Sequence, residues 1–346
     1  MEVSKKFYIQ WHFLERCNLR CIHCYQSSYH KKEMSLSDIM KIAKHLDLVM
    51  EKWKRKGRIS LTGGEPFLRE DILFTLLEFF EKSPNYYWVG ILTNGTLLNE
   101  KNIEILNKFK KLKEIQISLD GASSETHDKI RGKGCFEKVI NAISLLKKKG
   151  CYTTIMFTLH RKNQEEALKI IDLAVKMEID AITIERITPF DEYSRRKLLM
   201  SKEELLDIYK KIYNKKLNIE KRKIPLKIRV SRPLWVLFDD RIGGFCPIGY
   251  TSIALLHDGT VFPCRRLPIK LGNILTDGLF KIWYTSEVLW EIRNKSLLAN
   301  ECKNCKFLSK CGGCRAIAYA ITGNCLEKDP QCFKELLEKG EDLNVK

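Results

Sequence analysis

Three cysteines stand at C-x3-C-x2-C in the stretch ERCNLRCIHCYQ: Cys17, Cys21 and Cys24. Thiolate is a soft ligand, and three of them can hold three irons of a 4Fe–4S cluster while the fourth iron stays open, much as a catalytic zinc keeps one open position. Zinc with His23 as fourth ligand is the other chemistry on offer, but a histidine between two of the cysteines is a poor match to paired Cys-x-x-Cys spacing. Eight more cysteines crowd the last third: Cys246, Cys264, Cys302, Cys305, Cys311, Cys314, Cys325 and Cys332. Such groups indicate metal rather than disulfides in a cytosolic chain, with an iron–sulfur site or a small zinc ribbon as the readings. Cys135 and Cys151 stand alone and read as small buried residues.

The elements that position the first group alternate in type. Apolar runs predict strands in FYIQWHFL, RISLTGG, YWVGILTNG, EIQISLDG, CYTTIMFTLH and AITIERI, and helical spacing falls between them. The helix over 36–54 carries Ile39, Ile42, Ala43, Leu46 and Val49 on one stripe, with Ser35 or Ser37 as its cap. The helix ending in KKKG stops at Gly150. Six such repeats predict an α/β fold with a parallel sheet, open or part of a (β/α) barrel, and ligands beyond the strand C-termini. The cysteine triplet and the loops LTGGEPF, LTNGTLL and SLDGASSETHDKIRG follow strands one to four, so all four belong to one mouth.

The composition bounds the rest. The 346 residues suit one large domain and a smaller one. No signal-peptide-like start and no run of about 18 apolar residues occurs, which predicts a cytoplasmic chain with no membrane span. The formal charge of +18 comes from lysines spread along the chain, as expected of solvated helices. The best candidate for a nucleic-acid face is KLNIEKRKIPLKIRVSRPLW, residues 216–235, which also reads as a solvated linker.

The triplet with Tyr25 beside it, GGEP at 63–66, TNG after strand three and SLDG after strand four together resemble the radical S-adenosylmethionine superfamily, over residues 7–186. The resemblance implies a partial (β/α)6 barrel and a first cluster on Cys17, Cys21 and Cys24. Its open iron would chelate S-adenosylmethionine, and one electron would cleave the sulfonium to a 5′-deoxyadenosyl radical that removes a substrate hydrogen atom. It places Tyr25 over the adenine, Gly63, Gly64 and Glu65 at the methionyl ammonium, Thr93 and Asn94 at the ribose, Ser118 and Asp120 at the ribose or methionyl group, and Arg131 at the carboxylate or in solvent. Glu185 and Arg186 either face the mouth or flank it.

CPIGYTSIALLHDGTVFPC, then CKNCKFLSKCGGC and DPQC, resemble a SPASM domain, which binds two auxiliary iron–sulfur clusters. The pattern implies Cys302, Cys305, Cys311 and Cys332 at an outer cluster and Cys246, Cys264 and Cys314 at an inner one. Cys325, an open iron or substrate completes the inner cluster. The expected organisation is a barrel over 1–190, a helical linker over 191–240 and the SPASM domain over 241–346.

The tail resembles maturases of peptides and of peptide-derived or tetrapyrrole cofactors. The favoured function is a radical oxidoreductase that forms a thioether or carbon–carbon crosslink in a ribosomally made peptide. The alternatives are oxidation of a small cofactor precursor of tetrapyrrole or quinone type, and an iron–sulfur nucleic-acid-binding protein. A low-potential electron donor such as ferredoxin or flavodoxin is the implied partner. Where the sulfatase-maturing branch carries an acidic base after the second auxiliary cysteine, this chain has Arg265 and Arg266, so formylglycine formation is not expected. With 16 residues before Cys17, neither a methylcobalamin-binding region nor a leader-recognition domain of ordinary size is expected at the N-terminus.

Overall fold

Phe7, Ile9, Trp11 and Phe13 alternate along the first strand and are all buried, which turns Tyr8, Gln10 and His12 to the other face. That alternation, repeated on successive strands, separates a layer packed under helices from a polar interior. The computed structural model describes residues 5–26, 28–29, 33–244 and 246–338. In chain order the barrel elements are β1 (Lys6–Leu14), α1 (Leu36–Lys52), β2 (Lys56–Gly63), α2 (Glu70–Lys82), β3 (Tyr86–Thr93), α3 (Glu100–Leu106) and β4 (Leu112–Ser118). They continue as α4 (Ser124–Arg131), α5 (Cys135–Lys148), β5 (Thr153–Leu159), α6 (Ala167–Lys176), β6 (Ala181–Arg186), α7 (Lys202–Lys221) and β7 (Lys227–Arg229).

The six expected strands all form and pair in parallel in sequence order. Ser35 caps α1 by accepting from the Asp38 N–H, and Gly150 takes the left-handed conformation at φ 72°. Two features differ from the expectation. Residues 124–131 are helical rather than loop; Ser123 caps them, but at eight mostly polar residues the helix shows no apolar stripe long enough to read.

The segment 191–240 is also more than a connector: α7 packs on the barrel and β7 pairs in parallel with β6. The Tyr209 ring of α7 stacks on Trp235 at 3.9 Å between centroids. Two arginines of this segment turn inward, Arg229 to Glu114 and Arg232 to Glu185, and so take no part in an outward basic face.

The C-terminal third contributes β8 (Ser252–Leu255), β9 (Thr260–Phe262) and β10 (Gly272–Asn273). Strand β8 pairs in parallel with β1, while β9 and β10 run antiparallel. One ten-stranded sheet therefore runs through both parts. Short helices follow: α8 (Leu279–Thr285), α9 (Glu287–Arg293), α10 (Asn300–Lys303), α11 (Arg315–Thr322) and α12 (Lys334–Glu338). Among the described residues no helix is long and apolar enough to cross a membrane.

Candidate active site

At the C-terminal ends of the strands lies a cavity of about 310 Å³. Cys17, Cys21, Cys24 and Tyr25 form one wall, and Gly63, Gly64, Thr93, Asn94, Ser118 and Arg131 line the rim. Cys246, Cys264 and Cys314 also line it, together with polar residues of the strand interior, among them Gln10, Gln116 and Thr158. Cys302, Cys305, Cys311 and Cys332 meet around a second cavity of about 70 Å³. Cys325 lines neither. It is buried in a small apolar cluster against which Cys246, Cys264 and Cys314 pack.

Burial raises the thiol pKa of Cys17 and Cys21 in the first group, of Cys246 in the inner one, and of Cys302, Cys311 and Cys332 in the outer one. Cys21 is pushed to about 12 against the pull of Arg131, and Cys246 to about 11 against Arg232. These six thiols thus hold their protons until a soft metal ion displaces them, which fits cysteine-ligated clusters.

The loop after β2 is built by close backbone approach. A Cβ on Gly63 would lie 2.2 Å from the Leu14 carbonyl oxygen, and one on Gly64 would lie 2.0 Å from that of Arg16. The N–H groups of Gly64 and Glu65 donate to those same carbonyls at 3.0 and 2.8 Å. The glycines therefore fix the strand end against the chain entering the cysteine loop.

Glu65 is fully buried and does not line the cavity. Its carboxylate accepts from Thr93 Oγ1 and the Asn94 N–H, both at 2.7 Å, and from the Phe67 N–H at 3.2 Å. Burial nevertheless raises its pKa to about 7. Thr93 and Asn94 are thus positioned by Glu65, and the Asn94 amide also donates to Asn18 Oδ1 at 2.9 Å on the cysteine loop.

Asp120 lies behind the rim. Its carboxylate accepts from Arg131 Nε at 2.6 Å and from the Thr158 N–H at 2.7 Å. Burial pushes its pKa up, but Arg131 and His23 outweigh that and hold it at about 2. Arg131 is buried rather than an exposed loop cation, and its Nη1 stands 3.8 Å from Cys21 Sγ. His23 faces Asp120 at 3.5 Å and is held neutral by burial. Tyr25 carries the Arg265 guanidinium over its ring at 4.3 Å and meets Phe190 edge-on. Cys135 and Cys151 are buried apart from all three groups, and Cys151 contacts Asn107.

The end of β6 carries contacts that the sequence left open. Glu185 lines the cavity and binds both Arg232 and Arg266, the latter at 2.7 Å. Arg186 forms a buried pair with Asp329 at 2.8 Å and also donates to Gln331. The other role of Asp329 is to accept the Cys314 N–H at 2.9 Å, so one carboxylate ties β6 to both groups of C-terminal cysteines. Asp329 and Gln331 lie within DPQC, a stretch read only for its cysteine.

Residues 11–174 match the radical SAM superfamily, and residues 246–306 match SPASM, an iron–sulfur cluster-binding domain. The AdoMet-dependent heme synthase of Methanosarcina barkeri is 30% identical over 351 residues, covering 94% of this chain and 95% of that protein. The chain belongs to the radical SAM superfamily. It is an enzyme whose chemistry uses iron–sulfur clusters and S-adenosylmethionine.

The antilisterial bacteriocin subtilosin biosynthesis protein AlbA of Bacillus subtilis is 28% identical over 323 residues, which cover 86% of this chain and 65% of AlbA. Among solved structures, anSMEcpe with bound AdoMet superposes with a TM-score of 0.78 at 20% identity, covering 96% of each chain. Streptococcus suis SuiB bound to S-adenosylmethionine superposes at 0.76 and 19% identity, over 94% of this chain and 77% of SuiB. These two likenesses establish the fold.

Proposed function

We propose that this radical SAM enzyme oxidises a carboxylate-bearing cofactor precursor, of which a tetrapyrrole with propionate-type side chains is the leading form. The observation that carries this reading is a cation on the cavity wall without a carboxylate: Arg232 and Arg266 share Glu185, and Arg265 has no such partner among the described residues. A cation excess in a partly desolvated cavity is costly unless an anion completes it. The near end-to-end similarity to a protein named as a heme synthase supports the same substrate class.

In this reading Cys17, Cys21 and Cys24 hold the first cluster. Cys246, Cys264 and Cys314 hold the inner auxiliary cluster, with Cys325 the nearest spare thiol, and Cys302, Cys305, Cys311 and Cys332 hold the outer one. When bound, the clusters and S-adenosylmethionine supply the one-electron chemistry, removing a substrate hydrogen atom and accepting the second electron of the oxidation. The chain does the positioning. Glu65 sets Thr93 and Asn94 at the rim, Asp120 sets Arg131 beside Cys21, and Ser118 completes the wall that faces S-adenosylmethionine.

A second reading, crosslinking of a ribosomally made peptide, is favoured by the similarity to AlbA over 86% of this chain. The test is anaerobic turnover with dithionite and S-adenosylmethionine on iron coproporphyrin III and, in parallel, on a cysteine-containing precursor peptide. The proposal expects a loss of porphyrin mass matched by 5′-deoxyadenosine release. An unchanged porphyrin together with a two-hydrogen mass loss in the peptide would replace it with the second reading.

A further inference from the structure

We infer that Arg265 is the anchor for a substrate carboxylate, in a subsite formed with the face of Tyr25. The inference rests on the carboxylate-substrate reading above and names the residue that would enforce it. Arg265 and Arg266 occupy the two corners of a tight turn closed by the Leu267 N–H on the Cys264 carbonyl at 2.9 Å. The two guanidiniums are used differently. Arg266 binds Glu185 at 2.7 Å and donates to the Arg186 carbonyl, so its donors are engaged at the end of β6. Arg265 instead carries its guanidinium over the Tyr25 ring, 4.3 Å from the centroid.

Among the described residues no carboxylate lies within ion-pair reach of Arg265, and its Nε is buried without a partner. A guanidinium stacked on an aromatic face keeps its in-plane N–H donors free and fixed in direction, which suits bidentate capture of a carboxylate.

The position gives the contact its purpose. Tyr25 follows Cys24 and Arg265 follows Cys264, so their stack spans the cavity between the first and the inner cysteine groups. A carboxylate held there places the carbon chain that bears it between the two groups. Tyr25 thereby serves as the platform for the substrate anchor, a role distinct from covering an adenine.

The test is equilibrium binding of coproporphyrin III to the anaerobically reconstituted full chain, followed by fluorescence, for wild type, Arg265→Gln and Arg265→Lys, with iron measured in each. Loss of one charge-assisted contact predicts at least about tenfold weaker binding for Arg265→Gln. Arg265→Lys, which keeps the charge but not the fork, should fall between the two with unchanged iron. If Arg265→Gln loses iron, Arg265→Lys alone carries the comparison. Wild-type binding matched by Arg265→Lys and by iron-replete Arg265→Gln overturns the anchor and leaves the substrate class standing. Failure of wild type to bind the porphyrin overturns the substrate class and the anchor with it.

Discussion

Cys17, Cys21 and Cys24 leave a nine-residue strand and return to a seventeen-residue helix, and the groups around them are held by a sheet that needs no metal. The C-terminal cysteines are held otherwise. Their neighbours are strands of two to four residues and helices of four to eight. Most of the apolar core belongs to the barrel, while Cys246, Cys264, Cys314 and Cys325 share a cluster with only a handful of apolar side chains. Elements that short do not support themselves, so ligation becomes folding free energy. The barrel builds a site and then loads it. The C-terminal third is built largely by what it loads.

The largest effect should come from removing iron. Anaerobic chelation is expected to abolish amide-exchange protection across 300–338 while β1 to β6 remain protected. Equal protection in both regions after chelation would erase the contrast. Ligand removal sharpens the same point at the barrel. The combined change of Cys17, Cys21 and Cys24 to alanine should take total iron from about twelve to about eight if each cluster is 4Fe–4S. It should end S-adenosylmethionine cleavage without lowering barrel stability.

The next effect concerns the joint between the regions. Asp329→Asn strips the charge from a buried pair with Arg186 and weakens the acceptor for the Cys314 N–H. Breaking one side of a buried pair costs about 3–5 kcal/mol. Denaturant unfolding should show that loss, with β8 and the C-terminal helices exchanging first.

Glu65 gives a smaller, pH-dependent effect. Its pKa in the folded chain, about 7, lies above the ordinary carboxyl value of 4.5 because burial disfavours the charge. The folded state therefore binds the extra proton between those values, and ionised Glu65 costs stability above them. Acidification from about pH 8 to about pH 5 should relieve that cost in the wild-type apo chain and not in Glu65→Gln. The check is the difference between their Tm–pH slopes. The smallest effect is at α7, where Ser201 and Glu204 form a capping box. Ser201→Ala should cost about 1 kcal/mol by calorimetry and leave iron content unchanged.

How much of this was legible in the sequence follows the same division. The six strands and their helices could be read because each buries a periodic apolar face. Helix α4 could not, since its eight residues are mostly polar and its stability comes from the Ser123 cap and packing of Ile130. Residues 216–235 read as a linker because their lysines and arginines hide the pattern. The structure shows Ile228 buried on an added strand and Arg229 and Arg232 turned inward. In the C-terminal third, the resemblance to a SPASM domain separated the residues that meet around the two cavities. The contacts joining them to the barrel, Arg186 with Asp329 and Glu185 with Arg232 and Arg266, depend on pairings more than 40 residues apart that no local pattern carries.

In the function proposed above, the barrel cleaves S-adenosylmethionine and the inner cysteine group would accept the electron left by substrate oxidation. Anaerobic turnover of Cys314→Ala tests it most directly, with 5′-deoxyadenosine and oxidised product measured in the same reaction. The account predicts that 5′-deoxyadenosine release persists while product formation collapses. Full product yield from a folded Cys314→Ala protein shown to lack its inner cluster would contradict it.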